Sequence, residues 1–313
     1  LRLGRPGLPV IMCSSHTEHG ARSTLDALSR GALDYVMKPV GQRDFAAALL
    51  SLSQQLLPRI AALATHGRDA RRGGVSVAAG HKTPSREVHA AIEVVVIGLS
   101  TGGPSALEQM LPMLPRDFPV PVMVVQHMPK LFTGALADRL DKCCALRVEQ
   151  AYEGAAIYPG TIWLAPGDAH MEIAPRMPMP GEGEGMTRAR VRLHQQEPRN
   201  HCRPSVDYLF FSAARMYGAG ALALVMTGMG ADGLDGARAV HERGGVVLAQ
   251  DAATSAVWGM PGRVSEAGIA NATLPLAAIA EALLQRVIGG RLEGVAQHVA
   301  ASAARREAMH GLL

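Results

Sequence analysis

VVVIGLSTGGP, residues 94–104, is the stretch whose reading decides the fold. Val94 to Ile97 form a short run of β-branched residues with no polar face, the pattern of a strand buried on both sides of a parallel sheet. Gly98, Leu99, Ser100, Thr101, Gly102 and Gly103 follow, and Pro104 then stands where a helix accepts a residue without an N–H in its first turn. Strand, tight turn and helix in this order open an α/β unit.

Downstream the alternation continues. Apolar runs fall at 120–126, 146–150, 161–166, 170–174, 191–194, 221–226 and 245–249, and helical spacing at 104–114, 132–143, 205–217, 236–243 and 276–288. This alternation predicts an α/β fold with a doubly wound, mostly parallel, Rossmann-like sheet and helices on both faces. Pro166-Gly167-Asp168 predicts a hairpin between the strands beside it, and 177–185 a mobile loop. Upstream, Leu8 to Ser14 and Asp34 to Met37 read as strands, Glu18 to Arg30 and Asp44 to Leu57 as helices. Two strands make about half of a small βα domain, so the missing strands are expected before Leu1. The chain thus divides into a partial βα domain at 1–57, a flexible basic linker at 58–90, a larger α/β domain at 91–290 and a tail at 291–313 with no assigned role.

Composition narrows the function classes. With 313 residues, 48% hydrophobic and 19% charged, the chain is long enough for two domains and too apolar to be disordered throughout. No uninterrupted apolar run approaches the roughly 18 residues of a membrane helix, so membrane insertion is not expected. Cys13, Cys143, Cys144 and Cys202 do not make a disulfide framework, which predicts a cytoplasmic location. Between 59 and 90, six Lys and Arg face two acids, which is the whole formal surplus of +4; with 4% aromatics this does not predict nucleic-acid binding. His16, His19 and the His201-Cys202 pair show no metal-ligand spacing and read as exposed loop residues, so no metal is expected.

In open α/β sheets ligands bind beyond the carboxyl ends of the strands. The first strand of the larger domain delivers Ser100 there. Its G-x-S-x-G turn could expose a nucleophilic hydroxyl or, as a Gly-rich turn into a helix, cradle a pyrophosphate. A dinucleotide site would place an acid at the end of the next strand. That strand instead ends in Gln126-His127, and an imidazole beside Ser100 suits a general base. A third strand runs into Thr227-Gly228-Met229-Gly230-Ala231-Asp232-Gly233. Asp232 could orient His127 or merely cap the next helix, with Asp235 as a competitor further in. Amides near Thr101 and Met229 are candidate oxyanion donors. Arg203 to Asp207 could help hold substrate or cap the following helix, with capping ranked first because Ser205 precedes a helical run.

IGLSTGGPSAL (97–107), VVQHMP (124–129), LAPGDAHM (164–171), RPSVDYLF (203–210), MTGMGADG (226–233) and AQDAATSAVWGMPG (249–262) together resemble the chemotaxis-specific protein-glutamate methylesterases, the CheB family. The resemblance implies a serine hydrolase that removes methyl groups from glutamyl γ-methyl esters of methyl-accepting chemoreceptors and deamidates receptor glutamines, without a cofactor. It implies Ser100 as nucleophile, His127 as general base and Asp232 as its orienting acid. It also makes 1–57 the later part of a flavodoxin-like response-regulator receiver, with Ser14 and Tyr35 as switch residues and Lys38 as the phosphate-contacting lysine. A complete receiver would imply a histidine kinase partner and Mg²⁺. The phospho-accepting Asp and the acidic pair for Mg²⁺ are absent from this chain, a departure that points to truncation. A non-catalytic receptor-binding protein and a nucleotide-binding enzyme are the competing functions.

Overall fold

The chain opens with β1 (Ile11–Ser14), α1 (Glu18–Ser29), β2 (Asp34–Met37) and α2 (Phe45–Asp69), with β1 and β2 paired in parallel. In the computed structural model, residues 8–41, 44–69, 90–176 and 189–289 are described. The linker beyond 69, the loop expected at 177–185 and the tail from 290 lie outside them.

The larger unit is built around a seven-stranded parallel sheet. Its strands are β3 (Val94–Leu99), β4 (Val122–Gln126), β5 (Arg147–Gln150), β6 (Thr161–Leu164), β9 (Ala221–Val225), β10 (Val246–Gln250) and β11 (Ala272–Leu274), in the order β11-β10-β9-β3-β4-β6-β5. The helices are α3 (Gly103–Met110), α4 (Lys130–Asp141), α5 (Val206–Tyr217), α6 (Leu234–Glu242), α7 (Met260–Glu266) and a last helix over 276–289. All six residues of β3 are buried, and alternate side chains serve opposite faces. Val95, Ile97 and Leu99 join Leu107, Phe132 and Leu283 in one core layer. Val94 and Val96 join Val206, Phe210 and Val240 in the other. Gly98 lets α5 lie against the sheet, because a Cβ there would stand 2.2 Å from Val206 Cγ1.

The expected hairpin at 166–168 does not form. β6 is paired in parallel on both edges, to β4 and to β5, so it has no free edge to offer the following strand. That strand, β7 (His170–Pro175), pairs instead with β8 (Ala189–His194) in a separate antiparallel ribbon. The second helix also outruns its expected end at Leu57, continuing through Pro58 to Asp69. Proline removes one helical N–H, and Arg59 Nη1 donates to the Gln55 carbonyl beside it at 2.6 Å. Its stretch Phe45–Ala64 is long and apolar enough, by length and composition alone, to cross a membrane. In this fold it lies along β2, where Arg59 Nε donates to Asp34 Oδ2 at 3.1 Å and Gln55 Oε1 accepts from the Met37 amide at 3.3 Å.

Candidate active site

Successive strands leave β3 in opposite directions, β4 on one side and β9 on the other, so a crevice opens at their carboxyl ends. Ser100 follows β3. Its amide donates to the Thr227 carbonyl at 2.9 Å and its carbonyl accepts from Gln126 Nε2 at 2.9 Å. The turn needs Gly102, which has φ +80° and leaves no room for a Cβ, since one would lie 2.5 Å from Ala256 Cβ. Leu99 is in register with Gln126, and the His127 amide donates to the Leu99 carbonyl at 3.1 Å. Ser100 and His127 therefore leave adjacent strands side by side.

His127 Nε2 and Asp232 Oδ2 are 2.7 Å apart. A carboxylate only accepts, so the shared hydrogen belongs to Nε2 and, in the neutral ring, the lone pair to Nδ1. Nδ1 faces Cys202 Sγ at 3.5 Å. The Ser100 hydroxyl makes no hydrogen bond among the described residues. Two of the three groups expected to meet are thus in contact, and Ser100 lines the same cleft as His127.

Asp232 does not cap α6, whose N-cap is Gly233. It is 2% exposed and serves the start of α5 instead: Oδ2 accepts from the Val206 amide at 2.7 Å, and Oδ1 from Ser205 Oγ at 2.7 Å and Asn200 Nδ2 at 3.1 Å. Ser205 makes no side-chain cap of its own helix, because its hydroxyl is committed to Asp232. Burial raises the Asp232 pKa, but the His127 hydrogen bond and charge, with Ser205 and Val206, outweigh it and hold the carboxyl down at about 2. Burial likewise works against charge on His127, yet the Asp232 hydrogen bond, the Cys202 contact and the charges of both push it up to about 10. Asp235 is far more exposed and pairs with Arg199 at 2.7 Å. Arg199 and Asn200 are both held by the buried Asp207, so the loop over Asp232 is fastened from below.

Thr101 is buried, and its hydroxyl donates to Asp34 Oδ2 at 2.6 Å. The Thr101 and Met229 amides have no acceptor among the described residues, the state an oxyanion site requires. Ser100, Thr101, His127, Cys202 and Met229 line one open cleft of about 1010 Å³, and Asp34 and Tyr35 from the first unit line it as well. The Tyr35 ring stacks on Phe132 with centroids 4.7 Å apart, and Arg139 binds Glu108, Asp26 and Ser29 at once. Ser14 is buried, accepting from Thr24 Oγ1 at 2.7 Å, and Lys38 is exposed.

Sequence reasoning read Cys202 as an exposed loop residue, whereas it is half-buried against the imidazole. Asn200 and Asp207 were missed as supports of Asp232. The stretch 199–207 held a signal in its concentration of polar groups before a helix, but nothing local says which carboxylate they serve.

The fold and this cleft define a hydrolytic enzyme built on a parallel α/β sheet. The chain belongs to the CheB methylesterase family, whose model matches residues 95–283. It is 45% identical over 288 residues to the protein-glutamate methylesterase/protein-glutamine glutaminase of a Nocardioides species, covering 90% of this chain and 75% of that protein. The enzyme of the same description from Trichodesmium erythraeum is 41% identical over 283 residues, covering 90% of this chain and 78% of that one. The crystal structure of the Thermotoga maritima CheB methylesterase catalytic domain superposes with a TM-score of 0.58 at 40% identity, covering 62% of this chain and 98% of that domain.

Proposed function

We propose that this chain hydrolyses γ-methyl esters of glutamate side chains on methyl-accepting chemoreceptors and deamidates receptor glutamines, with Ser100 as nucleophile, His127 as general base and Asp232 as its orienting acid. The observation that carries this reading is the 2.7 Å His127–Asp232 pair standing next to Ser100 at the sheet's switch point. Ser100 Oγ attacks the γ-carbonyl as its proton passes to Nδ1 of His127, once that nitrogen turns from Cys202 to the hydroxyl. Asp232 stabilises the imidazolium, and the Thr101 and Met229 amides receive the oxyanion. His127 then protonates the departing methanol or ammonia. Water, deprotonated by the same nitrogen, releases glutamate from the acyl-enzyme and restores Ser100.

The first unit supplies the regulatory half of this reading, placing Asp34 and Tyr35 at the cleft. A phosphorylating histidine kinase belongs to the same reading for a complete receiver. Around Ser14 and Lys38 no carboxylate cluster forms among the described residues. The residues present therefore do not fit a Mg²⁺ site. Methanol release from methylated receptor tests the catalytic proposal. It should vanish in Ser100→Ala, and unchanged turnover in that variant would refute the assignment.

A further inference from the structure

The nitrogen of His127 that must take the serine proton is occupied by a thiol. Cys202 Sγ lies 3.5 Å from Nδ1, and its other polar contact is the Asn200 carbonyl at 3.4 Å. The sulfur, imidazole and Asp232 carboxylate donor atoms all fall within 4.8 Å of one another. Of these, the sulfur and the Nδ1 nitrogen face one another, a donor pair that suits a borderline-soft divalent ion.

The distances can be compared with zinc chemistry. Zinc holds thiolate sulfur at about 2.3 Å and imidazole nitrogen at about 2.0 Å, so a tetrahedral angle sets the two donors about 3.5 Å apart. The separation found is 3.5 Å. Behind the ring, Asp232 accepts from Nε2 at 2.7 Å, the carboxylate–histidine arrangement that fixes which nitrogen faces a metal and raises its basicity. Asp232 is in turn held by Ser205, Val206 and Asn200, so the ring is already oriented before any ion arrives.

We propose that His127 Nδ1 and Cys202 Sγ form a zinc-class metal site, backed by Asp232, whose occupation shuts the hydrolase off. The role in control rests on the reading of His127 as general base. Binding displaces the protons that Sγ and Nδ1 carry, forming Zn–S and Zn–N bonds and releasing those protons to solvent. The remaining zinc positions open to the cleft and take water. The bound ion occupies the lone pair that Ser100 needs, so a loaded enzyme has its nucleophile intact and its base removed.

Cobalt(II) replaces zinc as a visible probe. Chelator-stripped protein titrated with cobalt should develop a thiolate-to-cobalt charge-transfer band that is absent in Cys202→Ser and diminished in His127→Ala. No band in the parent chain, or an equal band in Cys202→Ser arising from the adjacent Cys143 and Cys144, would overturn the site. In the methanol-release assay zinc should inhibit the parent chain reversibly with chelator. Half-inhibition of Cys202→Ser should need at least the about tenfold more zinc that loss of even an outer-shell partner costs. Superimposable zinc curves for the two proteins would overturn the control role. If neither protein releases methanol, the enzymatic reading fails, and the cobalt spectrum still decides the metal site on its own.

Discussion

With His127 as the proposed base, methanol release should keep climbing with pH well past neutrality, because that imidazole is held in its protonated form. The imidazole of His127 must be neutral to take the Ser100 proton, yet Asp232 and Cys202, working against burial, push it up to about 10. Below its pKa the neutral fraction grows tenfold per pH unit, so at pH 7 only a small minority of molecules would carry a usable base. The expected kcat/KM profile therefore rises with a slope near one from about pH 7 to about pH 9. The assay is blank-corrected methanol release from methylated receptor at subsaturating substrate, with stability checked at each pH. Cys202→Ala removes the contact and charge that sulfur contributes, so its limb should move toward the ordinary histidine range and its rate at pH 7 should exceed that of the parent chain. A parent profile that is already flat at pH 7, or a Cys202→Ala limb that has not moved, would refute the reasoning.

Asp232→Asn should reduce kcat by about 10⁴-fold, as expected when an amide replaces the carboxylate behind a catalytic histidine, and methanol-release kinetics would show it. The same pair links stability to pH. Asp232, lowered to about 2, contributes stability that is present above about 4 and lost as pH falls through about 2; His127, raised to about 10, contributes stability that is present below about 6.5 and lost as pH rises through about 10. Denaturant midpoints across pH in the parent and Asp232→Asn chains should differ most between those limits. Gly98→Ala should destabilise by about 1–3 kcal/mol, because the new methyl meets Val206 Cγ1 at 2.2 Å, and Val206→Ala in the same chain should return part of the loss. Asp34→Ala frees the Thr101 hydroxyl from a contact that ties the first unit to the cleft, so turnover should rise by about tenfold or more, the scale of one hydrogen bond to a charged group, as initial methanol-release rates would show.

Local chemistry made the sheet and its three delivering turns legible in the sequence. Val94 to Ile97 cannot sit comfortably anywhere but a doubly covered strand, and Gly102 with Pro104 marks the turn and the helix start within a few residues. Ser100 and His127 stand at strand ends and Asp232 in the turn beyond a third, so a parallel arrangement leads one to expect them at one edge of the sheet before any coordinates are known. Other features depend on partners distant in the chain. Whether β6 pairs with β7 depended on β4 and β5 filling both of its edges. β11 is three residues long, too short for a periodic signal, and α7 has seven. Asp232 serves α5, 27 residues upstream by way of Ser205, rather than the helix it immediately precedes. Cys202 reaches His127 across 75 residues of chain, and Thr101 reaches Asp34 across 67. Periodicity and turn chemistry act over a few residues, so the sequence determined which groups arrive at the sheet edge. Only the packed structure decided which of them touch, because that depends on helices and strands brought together by burial rather than by proximity along the chain.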